Sequence, residues 1–375
     1  MIKRIDRLIK RIFQHLFWML CLFAPVKQNK LFVSNYYGKG YGDNPKYIVE
    51  ELLKSGENLE IIWSAKNKEE NTLPAGVHSC PTGSFEEIFH LATSKVWIDN
   101  CRKHFAIKKH NQKYMQTWHG FALKKIERDA ESVLIKSYIR SAQKDSRNID
   151  IIVSDSTDMT KIYRNSFWYD GDVVEWGAPR NDILAQGDIQ IVEKVKKFYN
   201  ISSCKKIILY APTFRKNNTL EVYLTEFGRI TKTYKEKFGH ECAVVVRLHP
   251  NISNKFKQLS LRDEGIIDGS DYPDLQELLL ATDLLISDYS SLMFDYMLTK
   301  KPCFIYASDI CDYKNDRNFY FDITDAPFSL STSVDELVNS ILTFNIDEYE
   351  KNIERFIKEH GIIYLKKSSK YLAAA

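Results

Sequence analysis

A strand, a turn and the start of a helix are predicted over residues 283–295, which read Asp283-Leu284-Leu285-Ile286-Ser287-Asp288-Tyr289-Ser290-Ser291-Leu292-Met293-Phe294-Asp295. The apolar run Leu284–Ile286 is typical of a buried strand, and a helix is expected to begin at the serine pair. Free backbone amides at such a helix start favour an anionic group, although serines also cap helices there. The stretch therefore predicts one unit of an α/β protein, with a cap or an anion site at Ser290 and Ser291.

Short apolar runs of the same kind recur along the chain between helix-like segments, which is typical of a parallel α/β sheet. They are Leu31–Val33, Ile61–Trp63, Val96–Ile98, Ile151–Val153, Ile207–Tyr210, Val244–Val246 and Phe304–Tyr306. The rhythm is interrupted around Pro179 to Gly187, and a second series follows. We therefore predict two doubly wound domains, residues 31–185 and 186–345, facing a central cleft at the carboxyl ends of their strands.

The composition limits the class of protein. The chain has 375 residues, enough for two domains, and its 44% hydrophobic and 27% charged residues exclude a disordered chain and a multi-span membrane protein. A net charge of +4 is too small for a dedicated nucleic-acid binder. Seven scattered cysteines without a C-x-x-C pair are unlike a disulfide framework or a structural zinc site, and they favour a reducing, cytosolic compartment.

Both ends of the chain depart from this average. In residues 1–30 a basic start runs into an uncharged stretch, Ile12 to Val26, which is shorter than a spanning helix. We predict an amphipathic helix that lies on the anionic cytoplasmic face of the cell membrane, with a packed helix as the alternative. A signal peptide is disfavoured, because no small-residue cleavage site follows cleanly. Residues 346–375 are Lys-rich with intermittent apolar positions and predict a C-terminal helix.

Two polar clusters lie between strands of the first series. The loop Gly38–Pro45 lacks the dinucleotide and Walker patterns, and its Asp43 and Asn44 are more typical of a helix cap than of a phosphate site. His119 lies beside a glycine and is followed by Lys124. An isolated histidine is more often a structural side chain, but a histidine at a strand end also suits proton transfer at neutral pH.

Two further clusters end strands of the second series. Thr213 and Arg215 end one strand, while Arg247 and His249 end another. The planar guanidinium fork donates two hydrogen bonds at once, which suits a phosphate group. Together with the serine pair, these cations favour an anion site in the second domain.

In this order, the clusters resemble the CDP-glycerol glycerophosphotransferase family, which comprises teichoic acid primases and polymerases. The matching segments are Gly42–Pro45, Gln116–Gly120 with Leu123–Lys125, Tyr210–Arg215, Arg247–Pro250 and Ile286–Ser291, with Asp295, Lys301, Pro302, Tyr306, Asp309, Tyr313 and Arg317. Two positions depart from the family pattern: Asn318 stands where glycine is common, and Phe214 stands where tryptophan is frequent. The chain lacks the long N-terminal extension of many polymerases, which favours a primase-like or capsule-type enzyme.

The resemblance implies a GT-B-like fold, an acceptor site in the N-terminal half and a CDP-alditol site in the C-terminal half. An acceptor hydroxyl would attack the β-phosphorus of CDP-glycerol, transfer glycerol phosphate and release CMP. His119 would be the general base, and Asp43 would orient the acceptor or the imidazole. The acceptor would be a lipid-linked saccharide or a polyol phosphate, with the enzyme attached to the inner membrane face.

The same resemblance implies roles for the remaining candidates. Arg215, Arg247 and His249 would stabilise the diphosphate and the leaving CMP. Ser290 and Ser291 would hold phosphate oxygens, and Asp288 would orient the loop or an alditol hydroxyl. The other expected substrate-binding residues are Asn44, Lys124, Thr213 and Arg317. No cofactor is evident; protein cations would replace a catalytic metal, with a loosely held Mg²⁺ as the alternative.

Two other enzymes fit parts of this pattern. A CDP-ribitol ribitolphosphotransferase would share every motif named above. A GT-B nucleotide-sugar glycosyltransferase would share the architecture, but it would release a nucleoside diphosphate rather than CMP. A membrane-associated scaffold would release no CMP, and the presence of both histidines and the serine pair disfavours it.

Overall fold

The computed structural model describes residues 2–66, 73–103, 108–215, 223, 225–248, 252, 265–310, 318–363, 365 and 367–374. His249 and Arg317 lie outside the described residues, so the expectations for them stay predictions. The chain divides into two compact units. Unit 1 comprises residues 1–119, 126–182 and 367–375, and unit 2 comprises residues 120–125 and 183–366.

Unit 1 is built on a parallel sheet with the strand order β3-β2-β1-β4-β5-β6-β7. The strands are β1 (Lys27–Ser34), β2 (Glu60–Ala65), β3 (Val77–Pro81), β4 (Ser94–Asp99), β5 (Lys113–Gln116), β6 (Ile151–Ser154) and β7 (Asp172–Glu175). Phe32 of β1 pairs with Ile62 on one side and with Trp97 on the other. The strand order therefore reverses between β1 and β4, and such a reversal opens a crevice at the carboxyl ends of the two strands.

Helices cover this sheet. They are α1 (Ile2–Cys21), α2 (Asp43–Lys54), α3 (Phe85–Thr93), α4 (Lys136–Ser146) and α5 (Thr157–Ser166), with 3-10 turns at Glu127–Val133 and Pro179–Asn181. One core cluster packs Val33, Ile48 and Trp63 with Val153, and Leu372 from the far end of the chain joins it. The apolar face of α2 thus closes the sheet on this side.

Helix α1 has two different apolar faces. Its inner face packs on α3, where the Gln14 amide donates to the Gly83 carbonyl at 2.8 Å and Phe17 meets the edge of Phe85. Trp18 is buried and lies 6.4 Å from Trp97, ring centre to ring centre. The outer face exposes five large apolar side chains, namely Ile12, Phe13, Leu16, Met19 and Leu20, and Phe23 just after the helix is exposed as well. No helix in the described part of the chain is both long enough and apolar enough to span a membrane.

Unit 2 is built on a second parallel sheet with the order β10-β9-β8-β11-β12-β13. Its strands are β8 (Lys206–Ala211), β9 (Cys242–Val246), β10 (Ile267–Asp268), β11 (Leu284–Ser287), β12 (Cys303–Tyr306) and β13 (Ser329–Ser331). The order reverses between β8 and β11, with Tyr210 paired to Ile286. Unit 2 therefore repeats the arrangement of unit 1 and has its own crevice at the carboxyl ends of β8 and β11.

The helices of unit 2 are α7 (Ile189–Phe198), α8 (Phe227–Phe238), α9 (Leu275–Ala281), α10 (Leu292–Tyr296), α11 (Val334–Leu342) and α12 (Ile346–His360). The short helix α6 (Asp182–Gln186) joins the two units, and α13 (Ser368–Ala374) returns the chain to unit 1. The 3-10 turns Met297–Thr299 and Ile323–Asp325 complete this part of the chain.

The predicted class, an α/β protein with parallel sheets, is confirmed, and all eight apolar runs lie within observed strands. The observed units differ from the predicted ranges in several places: the chain passes into unit 2 after Asp182 rather than after residue 185, residues 1–30 are part of unit 1, and residues 346–366 are part of unit 2. Residues 120–125 belong to unit 2, and the expected C-terminal helix is two helices because Gly361 ends α12 in a left-handed conformation (φ 58°). The last helix, α13, then packs on α2 in unit 1.

Candidate functional site

In unit 1, the candidate residues follow the strands at which the sheet order reverses. The chain leaves β1 into Asn35 and Tyr36, and it leaves β4 into Asn100 and Cys101. The Asn100 side chain joins the two loops: its Oδ1 accepts from the Tyr36 N–H at 2.9 Å, and its Nδ2 donates to Asn35 Oδ1 at 2.7 Å. His119 follows the neighbouring strand, β5. The sheet topology therefore brings these loops to one edge.

The imidazole of His119 is held in one orientation. Nδ1 lies 2.6 Å from the Asn100 carbonyl oxygen, which is an acceptor, so Nδ1 carries the proton. The ring stacks on Trp118 with centres 4.2 Å apart, and the Tyr36 ring lies 5.3 Å away. In the neutral ring Nε2 therefore carries the lone pair, which is the arrangement that a general base requires.

Burial lowers the pKa of His119 below its ordinary value, because the partly desolvated site disfavours the imidazolium. The hydrogen bond to the Asn100 carbonyl and the charge of Asp43 act in the opposite direction, and the charge of Arg180 adds to the lowering. The net direction favours the neutral imidazole at pH 7. His119 is thus in the basic form at the pH at which it would accept a proton.

Asp43 is fixed by three neighbours. Its carboxylate accepts a hydrogen bond from the Tyr36 hydroxyl at 2.8 Å and one from the Asn44 N–H at 2.6 Å. The Arg180 guanidinium lies 3.8 Å from Asp43 Oδ1. Asp43 begins α2 with φ +54°, an uncommon conformation for a residue other than glycine. The expected side-chain cap is absent, because the N-cap position is Gly42 and the carboxylate faces Tyr36 instead.

Asn44 connects the loop before His119 to the end of unit 1. Its buried amide donates to the carbonyl oxygens of Thr117 and Trp118, both at 3.2 Å, and its Oδ1 accepts from the Arg180 N–H at 3.1 Å. These three contacts of the Asn44 side chain are all to backbone groups, so Asn44 positions the loops of the site. The expected substrate contact of Asn44 stays a prediction.

Arg180 was not predicted from the sequence as a functional residue. In the structure it is buried and lies between two carboxylates. Its guanidinium nitrogens are 3.8 Å from Asp43 and 3.7 Å from Asp155. Only the proline at Pro179 marked this segment, and it indicated a domain boundary rather than a functional residue. A buried arginine is rarely found without acidic partners, but the sequence does not show which carboxylates those partners are.

In unit 2, the candidates again follow the strands at the reversal point. Thr213 and Arg215 follow β8, while Asp288 and Ser290 follow β11. Asp288 joins the two loops, because its carboxylate accepts from the Thr213 N–H at 2.9 Å and from the Tyr289 N–H at 2.6 Å. Asp288 therefore orients the loop after β8.

Arg215 uses all five of its side-chain N–H groups inside the protein. Nε and one Nη2 proton bind Asp309 at 2.6 and 3.1 Å, and the second Nη2 proton binds Asp288 at 2.8 Å. Nη1 donates to the carbonyl and the hydroxyl of Thr213, at 2.7 and 2.6 Å. The two carboxylates raise the pKa of Arg215. In this structure Arg215 fixes the loop and has no donor left for a phosphate.

Arg247 has donors left. Nη1 donates to the carbonyl oxygens of Gly269 and Tyr272, both at 2.8 Å. Within the described residues it has no carboxylate at salt-bridge distance and no further hydrogen bond from Nε or Nη2. Burial lowers the pKa of Arg247, but a guanidinium stays cationic at neutral pH. Of the two arginines, Arg247 is the one suited to receive an anion.

The serine pair lies at the start of α10. Ser291 is the N-cap residue but makes no side-chain cap hydrogen bond, and Ser290 Oγ accepts a long 3.4 Å bond from the Leu292 N–H. Gly120, which belongs to unit 2, lies directly beside the pair. A Cβ at Gly120 would lie 2.9 Å from Ser291 Oγ, and its φ of +154° also favours glycine.

Lys124 lies on the same short segment of unit 2. It forms an antiparallel bridge with Phe319, and the neighbouring Lys125 N–H donates to the Asn318 carbonyl at 2.9 Å. The segment is thus paired as a strand next to the loop that contains Asn318. Among the described residues, no cluster of three His, Cys, Asp or Glu side chains is arranged to hold a metal ion.

Two Rossmann-type units, each with its polar residues at the reversal point of a parallel sheet, define a GT-B-like α/β fold. A sequence profile of the CDP-Glycerol:Poly(glycerophosphate) glycerophosphotransferase family matches residues 16–372. The chain belongs to this family, as the motifs predicted.

Relatives agree with this assignment. The chain is similar to the teichoic acid poly(glycerol phosphate) polymerase of Staphylococcus epidermidis, with 34% identity over 92% of this chain and 50% of the relative. It is similar to the protein of the same name from Bacillus spizizenii, with 30% identity over 96% of this chain and 94% of the relative. The chain therefore spans about half the length of the staphylococcal relative and almost all of the Bacillus one.

A solved structure is also similar. The wall teichoic acid polymerase TagF, in a histidine-to-asparagine variant soaked with CDPG, matches with a TM-score of 0.86 and 30% identity. The match covers 100% of this chain and 95% of that one. The similarity to TagF therefore extends over both units.

Proposed function

We propose that this protein transfers glycerol phosphate from CDP-glycerol to a hydroxyl group of an acceptor and releases CMP, in the synthesis of a teichoic acid or a similar surface polymer. Membership of the glycerophosphotransferase family supports the donor and the reaction. The observation that carries the proposal is the state of His119: its Nδ1 proton is held by the Asn100 carbonyl, and burial keeps the ring neutral.

In the proposed reaction, Nε2 of His119 takes the proton of the acceptor hydroxyl. The acceptor oxygen bonds to the β-phosphorus of CDP-glycerol, and the bond from that phosphorus to the bridging oxygen breaks. CMP leaves with the bridging oxygen and its electron pair, and the imidazolium later returns the proton to solvent. Phosphoryl transfer needs positioning and charge stabilisation more than covalent chemistry, so one base and a few donors suffice.

The residues of unit 2 would bind the donor. We assign phosphate binding to Arg247, which has donors left, and to the hydroxyl and amide groups of Ser290 and Ser291. Arg215, Thr213 and Asp288 are positioning residues in this proposal, because the donors of Arg215 are used inside the protein. His249 keeps its expected role in stabilising the diphosphate and the leaving CMP, and Lys124 and Arg317 keep their expected substrate-binding roles.

The test of the base is the substitution His119→Ala, assayed by CMP release and by mass spectrometry of the product. We expect a loss of at least about 100-fold in kcat, with CDP-glycerol binding by calorimetry retained. His78, an exposed histidine of the same unit, provides the matched control His78→Ala. Near wild-type transfer by the His119 variant would contradict the proposed mechanism.

The nature of the donor and of the acceptor is tested with the wild-type protein. Competition between CDP-glycerol and CDP-ribitol separates the two alditol phosphates, since both donors would release CMP. A nucleotide-sugar glycosyltransferase would instead release a nucleoside diphosphate. A lipid-linked disaccharide and a short polyol phosphate, offered in parallel, distinguish a primase-like enzyme from a polymerase.

We also propose that the outer face of α1 rests on the cytoplasmic surface of the cell membrane. Five large apolar side chains are exposed on this face and Phe23 follows directly after the helix, while the opposite face is already packed on α3. Exposed apolar surface of this extent on one helix favours an interfacial position, and the lysines and arginines of residues 3–11 would meet anionic headgroups. A lipid-anchored acceptor would then be presented at the same surface.

A further inference from the structure

Arg180 has no role in the reaction described above, yet it lies at the centre of the charged groups of unit 1. The 3-10 turn Pro179–Asn181 places it, and its side chain is 3% exposed. Its two terminal nitrogens are 3.8 Å from Asp43 and 3.7 Å from Asp155. A buried cation between two carboxylates fixes both of them and balances their charge.

The backbone of Arg180 is tied to the loop that carries the base. Its N–H donates to Asn44 Oδ1, and the Asn44 amide donates to the carbonyl oxygens of Thr117 and Trp118. Trp118 immediately precedes His119 and stacks on its ring. One hydrogen-bonded chain therefore runs from Arg180 to the residue next to the imidazole.

The charges that face His119 come from several elements. Asp43 at the start of α2 and Asp99 at the end of β4 favour the imidazolium, while Arg180 disfavours it. Asp99 is already paired with Lys103 at 2.6 Å. The other titratable groups beside the ring are Tyr36, which is bound to Asp43, and the Cys101 thiol, 3.9 Å from Nδ1; Asp155 and Tyr163 face Arg180 from the other side.

We propose that Arg180 is a positioning residue that holds Asp43 in place and balances its charge, so that His119 stays unprotonated at neutral pH. Without Arg180, Asp43 would act on the imidazole as an uncompensated carboxylate and would favour the protonated ring. This inference rests on the proposed function, in which His119 accepts the proton of the acceptor.

The test compares Arg180→Gln, which removes the charge, with Arg180→Lys, which keeps it. The His119 pKa is measured directly from the imidazole C–H resonances in an NMR titration of the protein without substrate, with His119→Ala used to assign them. We expect the pKa of His119 to rise by about one unit in Arg180→Gln, which is a roughly tenfold loss of the neutral ring on the acidic side. The acidic limb of the kcat profile should move with it, and Arg180→Lys should restore both.

Two further variants keep the test decisive. Arg164→Gln removes an exposed cation of the same unit and should leave the His119 pKa unchanged. Asp155→Asn frees Arg180 from its second carboxylate and should lower that pKa, which serves as the test if Arg180→Gln does not fold. An unchanged His119 pKa in Arg180→Gln, or in Asp155→Asn where that variant replaces it, would overturn the inference.

The measurement separates the two proposals. If the His119 pKa moves as expected but kcat does not follow the protonation of His119, the proposed base is wrong and the electrostatic role of Arg180 stands. If kcat depends on His119 but its pKa is insensitive to Arg180, the proposed function stands and the role of Arg180 is wrong.

Discussion

Arg215 and Arg247 follow neighbouring strands of the second sheet, yet their guanidinium groups have different partners. Arg215 gives every donor to Thr213, Asp288 and Asp309, whereas Arg247 donates from Nη1 to two carbonyl oxygens. The two side chains are indistinguishable in the sequence, because each is an arginine at a strand end. Asp309 lies 94 residues from Arg215 in the sequence and accepts its hydrogen bonds in the folded protein. This tertiary contact distinguishes the positioning role proposed for Arg215 from the binding role proposed for Arg247.

Substitution of Arg215 should therefore lower the stability of the protein, whereas substitution of Arg247 should weaken donor binding. Arg215→Ala leaves the buried Asp288 and the half-buried Asp309 without their cation, and we expect a loss of roughly 3–5 kcal/mol in the free energy of unfolding, measured in urea. Arg247→Gln should change stability little but weaken CDP-glycerol binding roughly 10- to 100-fold by calorimetry, because a charge-assisted hydrogen bond is lost. Arg229→Gln, at an exposed arginine of the same unit, is the control for charge. Weaker binding by Arg229→Gln, or full affinity in Arg247→Gln, would contradict the assignment.

Asp145 is a second residue whose environment has a measurable consequence. It shares the buried guanidinium of Arg102 with Glu127, and burial raises its pKa to about 7. The folded protein therefore binds a proton at Asp145 that the unfolded chain, with an ordinary pKa near 3.9, does not bind. Because the folded state holds more protons in this range, Asp145 makes the protein less stable as the pH rises from about 4 to 7.

The substitution Asp145→Asn removes this titration. We expect the free energy of unfolding of the variant, minus that of the wild type, to increase with pH by on the order of 1 kcal/mol per pH unit between pH 5 and 7. Urea unfolding at several pH values measures this difference. The offset between the two curves reflects the altered pairing of Arg102, so the slope of the difference is the quantity to compare. A difference that is flat with pH would show that Asp145 is ionised throughout.

At the scale of elements, α1 is a helix with two apolar faces in different environments. The inner face contributes Trp18 to the core beside Trp97, and Lys109 stabilises the helix end by donating to the Cys21 and Ala24 carbonyl oxygens. The outer face is exposed. Deleting the first 24 residues would thus remove part of the core of unit 1 and confuse folding with membrane binding.

Point substitutions on the outer face avoid this problem. The double variant Leu16→Glu, Leu20→Glu should lose co-sedimentation with vesicles of phosphatidylglycerol and phosphatidylcholine, because two carboxylates would enter the apolar interface. Its melting temperature should stay within about 2 °C of the wild type, since both side chains are exposed. Ile189→Glu places the same charge on an exposed apolar site of unit 2 and should not change vesicle binding. Unaltered sedimentation of the double variant would exclude the outer face as the contact.

Strands that are buried on both faces were predictable, and short edge strands were not. β1, β8 and β11 contain continuous apolar runs because helices cover both sides of a parallel sheet. The four edge strands β3, β7, β10 and β13 lie outside the predicted runs, and so does the interior strand β5, whose residues Lys113–Gln116 contain no continuous run of aliphatic side chains. The same limit applies to the site. Asp288 follows a predicted strand and His119 was expected at a strand end, whereas Arg180 follows the missed β7 and reaches Asp43 through tertiary packing.

At the scale of the whole molecule, neither unit is a continuous piece of chain. Residues 120–125 lie in unit 2, where Phe121 packs against Phe294 and Phe356 and the Tyr320 N–H donates to the Leu123 carbonyl at 2.9 Å. The sequence could not predict this crossing, because the segment directly follows a strand of unit 1. The boundary between the units therefore falls within the segment Gln116–Gly120: His119 belongs to unit 1 and Gly120 to unit 2.

The last residues of the chain, 367–375, likewise belong to the unit that they do not directly follow in sequence, unit 1. Asp182 accepts hydrogen bonds from the N–H groups of Ser368 and Ser369, at 3.0 and 2.8 Å, across 186 and 187 residues. Leu372, on the same helix α13, is buried in the core cluster with Val33 and Trp63. A contact of such sequence separation forms late in most folding schemes, because the loop that it closes costs entropy.

Leu372 and its neighbour Tyr371 allow this closure to be measured with a matched pair. Leu372→Ala should destabilise unit 1 by roughly 2–4 kcal/mol, through the lost burial and the cavity that remains. Tyr371 is 54% exposed, so Tyr371→Ala should stay within about 0.5 kcal/mol of the wild type. Urea unfolding followed by hydrogen exchange of β1 and β8 would assign the loss to one unit, since β1 belongs to unit 1 and β8 to unit 2. Equal protection of β1 in both variants would mean that the last residues are an appendage, whereas faster exchange of β1 in Leu372→Ala alone would show that the fold of unit 1 depends on them.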